Sequence, residues 1–267
     1  MRTSTHQTVL IEFLQILWTA NAIGSALVLW RLFSLQIART YRFFLASIAI
    51  KVLRSAILLF LNPHTQAYYY TWTITQPILW ISYVLVVYEL YSLVLKNYPG
   101  IQSLSRKFFF TAVATASIVA ALTVMPTMVS GLANKRQPLL YPYALIERAN
   151  NTSLAVFLLL LLAFVMWFSV PLSHNLLAHC SIYSAYFFLN NVVFLYWHTV
   201  GRSSVMWVNL FTLSSWIICV LCWVFLLSRT GESRTTSLRL GRSPIEERRL
   251  LGQLEALNAT LLRTARK

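Results

Sequence analysis

Seven stretches of this chain are apolar for about 20 residues each, the length a helix needs to cross about 30 Å of hydrocarbon. They lie at 9–32, 41–61, 71–95, 108–129, 152–170, 175–197 and 204–227. Inside hydrocarbon every backbone N–H and C=O must be satisfied without water, which leaves helices or closed barrels. These runs do not alternate and far exceed the length of a barrel strand, so helices are predicted. The fifth and sixth runs are separated by little more than Pro171-Leu172-Ser173-His174, which predicts a tight helical hairpin. With 58% apolar and only 11% charged residues, the composition excludes a water-soluble domain. The expected fold is all-α: a polytopic membrane protein with seven transmembrane helices over 1–227, a juxtamembrane linker over 228–242, and an amphipathic or coiled-coil helix over 243–267.

Orientation follows from Lys and Arg, which concentrate in cytoplasmic loops. Arg31, Arg39, Arg42, Lys96, Arg106, Lys107 and the nine basic residues after Leu227 place fifteen on one side. Arg2, Lys135, Arg136, Arg148 and Arg202 place five on the other. An odd number of spans then puts the N-terminus outside and the C-terminus in the cytoplasm, in a multi-pass protein of the plasma (cytoplasmic) membrane. Aromatic residues mark both rims, with Tyr68, Tyr69, Tyr70 and Trp72 at one and Tyr41, Phe43 and Phe44 at the other. The net charge of +15 is spread through loops and tail, not gathered into a nucleic-acid module, and no nucleic-acid partner is expected. Arg2 leads into a long apolar run without a small-residue cleavage site, so the first helix is expected to be retained.

The longest external connection, 130–151, carries Pro138 and Pro142 among Leu139, Leu140, Tyr141 and Tyr143, a composition suited to an interfacial connection or a lid. It also holds the sequons Asn150-Asn151-Thr152 and Asn151-Thr152-Ser153. After Leu227 the chain turns polar and basic, as a flexible linker does. A helix is then predicted from Ser243, with Pro244 in its first turn and Glu246 completing an S-x-x-E capping box. Leu250, Leu254, Leu257 and Leu261 follow at steps of four, three and four, the spacing of a short coiled-coil seam. That seam suits a homodimer or a cytoplasmic partner. Arg248 and Arg249 beside it, with Arg263, Arg266 and Lys267, suit the anionic surface of the lipid bilayer.

Charged side chains inside a span cost about 2.5–3.5 kcal/mol each on insertion scales, so they need partners or water. Lys51 and Arg54 lie near the middle of the second run and form a polar stripe with Ser47 and Ser55. Glu89 lies in the third run, about 9 Å from its inner end, against about 15 Å for Lys51. A Lys51 to Glu89 ion pair is expected, because a lysine stem can bridge that difference. Arg54 then needs a further acceptor, such as Asn21 in the first helix or Asn190 and Asn191 in the sixth, or else an anionic ligand. The same residues also suit a structural network that holds helices in register.

Other chemistry has little to build on. His179 and His198 are nineteen positions apart on one run, roughly 28 Å, so they do not form a haem pair. Exposed polar histidines are expected, and neither a cofactor nor a metal is. Cys219-Val220-Leu221-Cys222 has CxxC spacing but lies in an apolar helix, where packing accounts for it. The chain lacks HExxH, GxSxG, a phosphate loop and any aspartate, which argues against an enzyme.

Glu89-Leu90-Tyr91 running into Tyr98-Pro99-Gly100, Tyr41-Arg42-Phe43-Phe44 opening the second run, and the leucine-rich tail carry a resemblance to a group of uncharacterised bacterial seven-helix proteins of the acidobacterial type. In architecture the chain is similar to the seven-helix sensor regions ahead of histidine kinases, where a juxtamembrane helix leads to an output domain. The resemblance implies a membrane sensor or scaffold that relays bundle rearrangement to its cytoplasmic helix. The alternative is a small transporter or channel, with Lys51, Arg54 and Glu89 lining a proton or anion path.

Overall fold

A computed structural model describes residues 2–62, 65–103, 106–107, 109–111, 114–115, 118, 140–200, 205–236 and 244–265. The long helices are α1 (Arg2–Ser34), α2 (Arg42–Phe60), α3 (Gln66–Val94), α4 (Leu140–Phe168), α5 (His174–Val200), α6 (Val205–Leu226) and α7 (Pro244–Ala265). Two short strands, β1 (Leu172–Ser173) and β2 (Thr235–Thr236), pair antiparallel, with Leu172 opposite Thr236. Among the described residues, helices α1 to α6 are the six that are long and apolar enough to cross a membrane. Their outward positions carry large apolar side chains such as Trp30, Phe60, Ile74, Leu160 and Phe225. That is the inverse of a water-soluble surface, and the chain is a helical, multi-pass membrane protein. The expected fourth run, 108–129, lies largely outside the described residues, of which 109–111, 114–115 and 118 are helical.

The described helices fall into two compact units, Met1–Leu85 with Leu189–Leu226, and Val86–Phe188 with Leu227–Lys267. In the first unit α1 packs against α2 and α6. Gly24 makes the second of these contacts possible, since a Cβ there would come within 2.8 Å of the Val220 Cγ1 atom. In the second unit an aromatic cluster joins the end of α3 to α4: Phe109 stacks on Tyr91 at 6.2 Å between centroids and meets Phe157 edge-on at 4.5 Å. The Tyr91 hydroxyl donates to the Gln102 carbonyl at 2.8 Å, anchoring the chain just after α3 to that cluster.

Two helix ends share one stop. Beyond α1, the N–H of Ile37 donates to the Leu32 carbonyl and that of Gln36 to the Phe33 carbonyl, with Gln36 in the left-handed region at φ 59°. Beyond α4, the Val170 N–H donates to the Val165 carbonyl and Ser169 has φ 50°. Each is a Schellman-type end with a buried apolar pair, Leu32 with Ile37 and Val165 with Val170. Glycine usually occupies the left-handed position, and neither site has one.

Two boundaries differ from expectation. Helix α4 begins at Leu140, so the second half of the expected 130–151 connection is helical; residues 130–139 lie outside the described residues. Pro142 falls in the first turn, where its missing N–H has no helical partner to lose. Both sequon asparagines are therefore on α4, with Asn151 buried. The expected flexible linker is ordered from Ser228 to Thr236: a 3₁₀ turn at Arg229–Gly231 leads into β2, and the His174 N–H donates to the Arg234 carbonyl. The polar residues that suggested a linker bond the α4–α5 hairpin in place of water.

Replacing a left-handed non-glycine residue by glycine removes a backbone penalty of about 1 kcal/mol. Gln36→Gly and Ser169→Gly should therefore each raise the unfolding free energy by about that amount in a denaturing-detergent titration, and a loss in either would contradict the assigned ends.

Candidate functional site

Three members of the polar stripe on α2, Ser47, Lys51 and Arg54, each face a different neighbour in the first unit. Ser47, nearly fully buried, lies 3.1 Å from the Ser82 hydroxyl of α3. One turn on, the Lys51 ammonium sits over the Trp216 ring of α6, 2.9 Å from its centroid. Nearly a turn further, the Arg54 guanidinium lies 5.9 Å from the centroid of Trp72 on α3. The stripe thus touches α3 at two levels and α6 between them.

An indole face carries negative quadrupole density, so it holds a cation without bringing a charge of its own, and the contact strengthens where water is excluded. Trp216 is itself fixed on all sides. Its Nε1 donates to the Ser25 hydroxyl of α1 at 3.1 Å, and its ring meets Trp223 edge-on at 5.5 Å. Trp223 in turn packs on Phe44 of α2 at 5.0 Å. Lys51 is therefore held on a platform built from α1, α2 and α6.

The expected partners lie on α1, α3 and α5. Asn21 is buried, but its Nδ2 donates to the Leu213 carbonyl at 3.3 Å, tying α1 to α6. Asn190 is buried and Asn191 half-buried on α5. Glu89 is buried in the second unit, seven residues beyond Ser82 on α3, and the ion pair expected with Lys51 would join residues of different units. The role of Trp216 and Trp72 as cation seats was not anticipated, because Trp72 reads as a rim marker and Trp216 as apolar bulk. The usable signal was depth, since aromatic faces at the level of an intramembrane cation are its natural seats. His179, expected to be exposed, is fully buried on α5. Cys180, Cys219 and Cys222 are free thiols. Among the described residues no three His, Cys, Asp or Glu side chains converge as metal ligands.

The second unit holds the tail through two asparagines. Asn175, at the start of α5, accepts the Ser228 N–H at 3.1 Å, and its Nδ2 donates to the Ser228 carbonyl at 2.8 Å and to Glu232 Oε1 at 3.0 Å. The clasp closes over Gly231, where any Cβ would collide with the Asn175 carboxamide. Asn258 on α7 makes the other attachment. Its Oδ1 accepts the N–H of Gly100 at 2.8 Å and of Ile101 at 3.4 Å, in the helical turn that begins at residue 99. Tyr98 precedes that turn and has no short polar side chain to cap it, so α7 supplies the cap from another part of the chain. Burial, then the Glu255 carboxylate of α7, raises the Tyr98 phenol above its ordinary value.

The four leucines of the expected seam differ in burial. Leu254 is fully buried and Leu250 and Leu261 are half-buried, but Leu257 is 50% exposed. The inward face runs through Leu250, Leu254, Asn258 and Leu261, because Asn258 is turned toward the two amides it caps. The seam is occupied by the protein itself. Arg249 is exposed, and the Arg248 side chain lies outside the described residues.

A double-mutant cycle of Lys51→Met and Trp216→Leu, followed by equilibrium unfolding, should return a coupling energy of about 1–2 kcal/mol. Additive effects would show that the ring does not hold the cation. No protein-family model matches the chain, and no curated protein and no solved structure is significantly similar to it.

Proposed function

We propose that this protein is a sensor or scaffold of the plasma membrane, with seven spans, its N-terminus outside and α7 as a cytoplasmic output element. The single observation that carries the proposal is the cap that Asn258 places on the Gly100 and Ile101 amides, with Leu254 buried beside it. A tail that served only as a solvated extension would have no reason to complete a helix in the membrane domain. Here the seat of α7 depends on the position of the turn after α3, so a shift of α3 changes the cap directly. The chain leaving α6 is equally constrained, since Ser228 is clasped by Asn175.

A population shift requires only that a ligand or lipid bind the docked and released arrangements unequally. One capping interaction contributes about 1 kcal/mol, so its loss changes the docked-to-released ratio about fivefold. The buried leucines would then be offered to a second copy or a cytoplasmic partner. The fifteen-to-five distribution of basic residues supports the orientation. A bundle with a juxtamembrane helix is also the pattern of the sensor regions that the sequence resembles.

Asn258→Ala should increase protease cleavage within 244–265 about fivefold while the spans stay inserted. Deleting 243–267 should abolish dimerisation or partner binding without affecting insertion. Unchanged cleavage in Asn258→Ala would contradict the relay. Proton or anion flux into proteoliposomes, lost in Arg54→Ala, would establish the transporter or channel in its place.

A further inference from the structure

The connection between α1 and α2 is a built platform. Ile37 and Tyr41 are buried and anchor it, and the N–H groups of Thr40 and Tyr41 both donate to the Ile37 carbonyl. The Arg42 Nε donates to the Arg39 carbonyl at 3.1 Å, so the backbone beneath one arginine orients the other. Arg39 and Thr40 between the anchors, and Arg42 just after Tyr41, are exposed. Phe33, at the end of α1, is 61% exposed, and Phe43, at the start of α2, is 39% exposed. From residue 13 to 85, and again from 189 to 226, the first unit contains no aspartate or glutamate.

We propose that this platform binds the headgroup of an anionic phospholipid, with the phosphate against Arg39 and Arg42 and the upper acyl chains against Phe33 and Phe43. Charge complementarity selects the anion: two neighbouring exposed guanidinium groups, that of Arg42 oriented by its bond to the Arg39 carbonyl, present fork-shaped donors that match phosphate oxygens. Position selects the lipid over a soluble anion. The arginines stand where two membrane-spanning helices end, the level of a phospholipid headgroup, and exposed phenylalanines flank them on the hydrocarbon side. The buried Ile37 and Tyr41 hold the arginines in place before a lipid arrives, which reduces the ordering needed on binding.

Native mass spectrometry of the full chain, exchanged from detergent into mixtures of phosphatidylglycerol and phosphatidylcholine, tests this. Wild type should retain phosphatidylglycerol preferentially, and Arg39→Gln with Arg42→Gln should reduce that preference by about fivefold for each arginine removed. Arg39→Lys with Arg42→Lys, which keeps the charge but removes the forks, should lose a clear part of the preference while retaining more than the neutral pair. Because both side chains are exposed, the neutral pair should leave the helical circular dichroism unchanged, which separates loss of binding from loss of fold. Equal retention of the two lipids by wild type would overturn the proposal. An equal loss from Arg106→Gln with Lys107→Gln, which removes the same charge from another exposed site, would also overturn it by reducing the effect to diffuse attraction. So would displacement of the lipid by excess inorganic phosphate to the level of the double variant, which would assign the patch to a soluble anion.

Discussion

Hydrocarbon offers no hydrogen bonds, and the organisation of this protein follows from where its polar groups find partners instead. Each helix satisfies its own backbone, but Lys51, Arg54, Asn21, Ser25 and Ser47 need other solutions. Ser25 accepts from an indole, Asn21 donates to a carbonyl of α6, and Ser47 meets Ser82. Two cations sit over tryptophan rings. These contacts are directional, unlike the contact of apolar side chains with one another, so they fix which faces of α1, α2, α3 and α6 meet. Tryptophan suits such a site because one side chain provides an N–H donor at its edge and an electron-rich face. Trp216 uses both.

The same need governs the helix ends. The turn at residue 99 has donors that Tyr98 cannot cap, and Asn258 reaches them from α7. Ser228 has a backbone donor and acceptor that the Asn175 carboxamide satisfies together. In both places an asparagine binds backbone from a distant part of the chain, and the tail becomes part of the membrane domain. Gly231 shows how close that attachment is, since a single methyl group would displace it. The exposed arginines of the α1–α2 connection extend the pattern outward, to a partner supplied by the membrane.

Six of the seven expected spans are present among the described residues, and they were legible in the sequence because their signal is collective: about twenty consecutive apolar residues leave few alternatives. The α4–α5 hairpin was legible from Pro171, and α7 from the Ser243, Pro244 and Glu246 capping pattern. What the sequence concealed depends on single contacts between distant residues. The stops after Ser34 and Phe168 use Gln36 and Ser169 in the left-handed region, so the glycine that usually marks such a stop is missing. The 228–242 linker looked flexible because its polar residues suit water, and only the structure shows Ser228 and Glu232 bound to Asn175. Leu257 matched a heptad, yet the demand of two amides for Asn258 rotated it outward. Lys51 and Arg54 stood out by their charge, while their contacts with Trp216 and Trp72 did not, since a linear sequence does not pair a ring face with a cation.

The central claim is that α7 caps the turn after α3 and so reports its position. Hydrogen–deuterium exchange of the full chain and of a form lacking 243–267, both in nanodiscs, tests it at two amides. Gly100 and Ile101 should be protected in the full chain and exchange rapidly once the tail is gone, while protection of the α2 amides from Leu45 to Ile48 stays the same. Equal protection of Gly100 and Ile101 in the two forms would contradict the account.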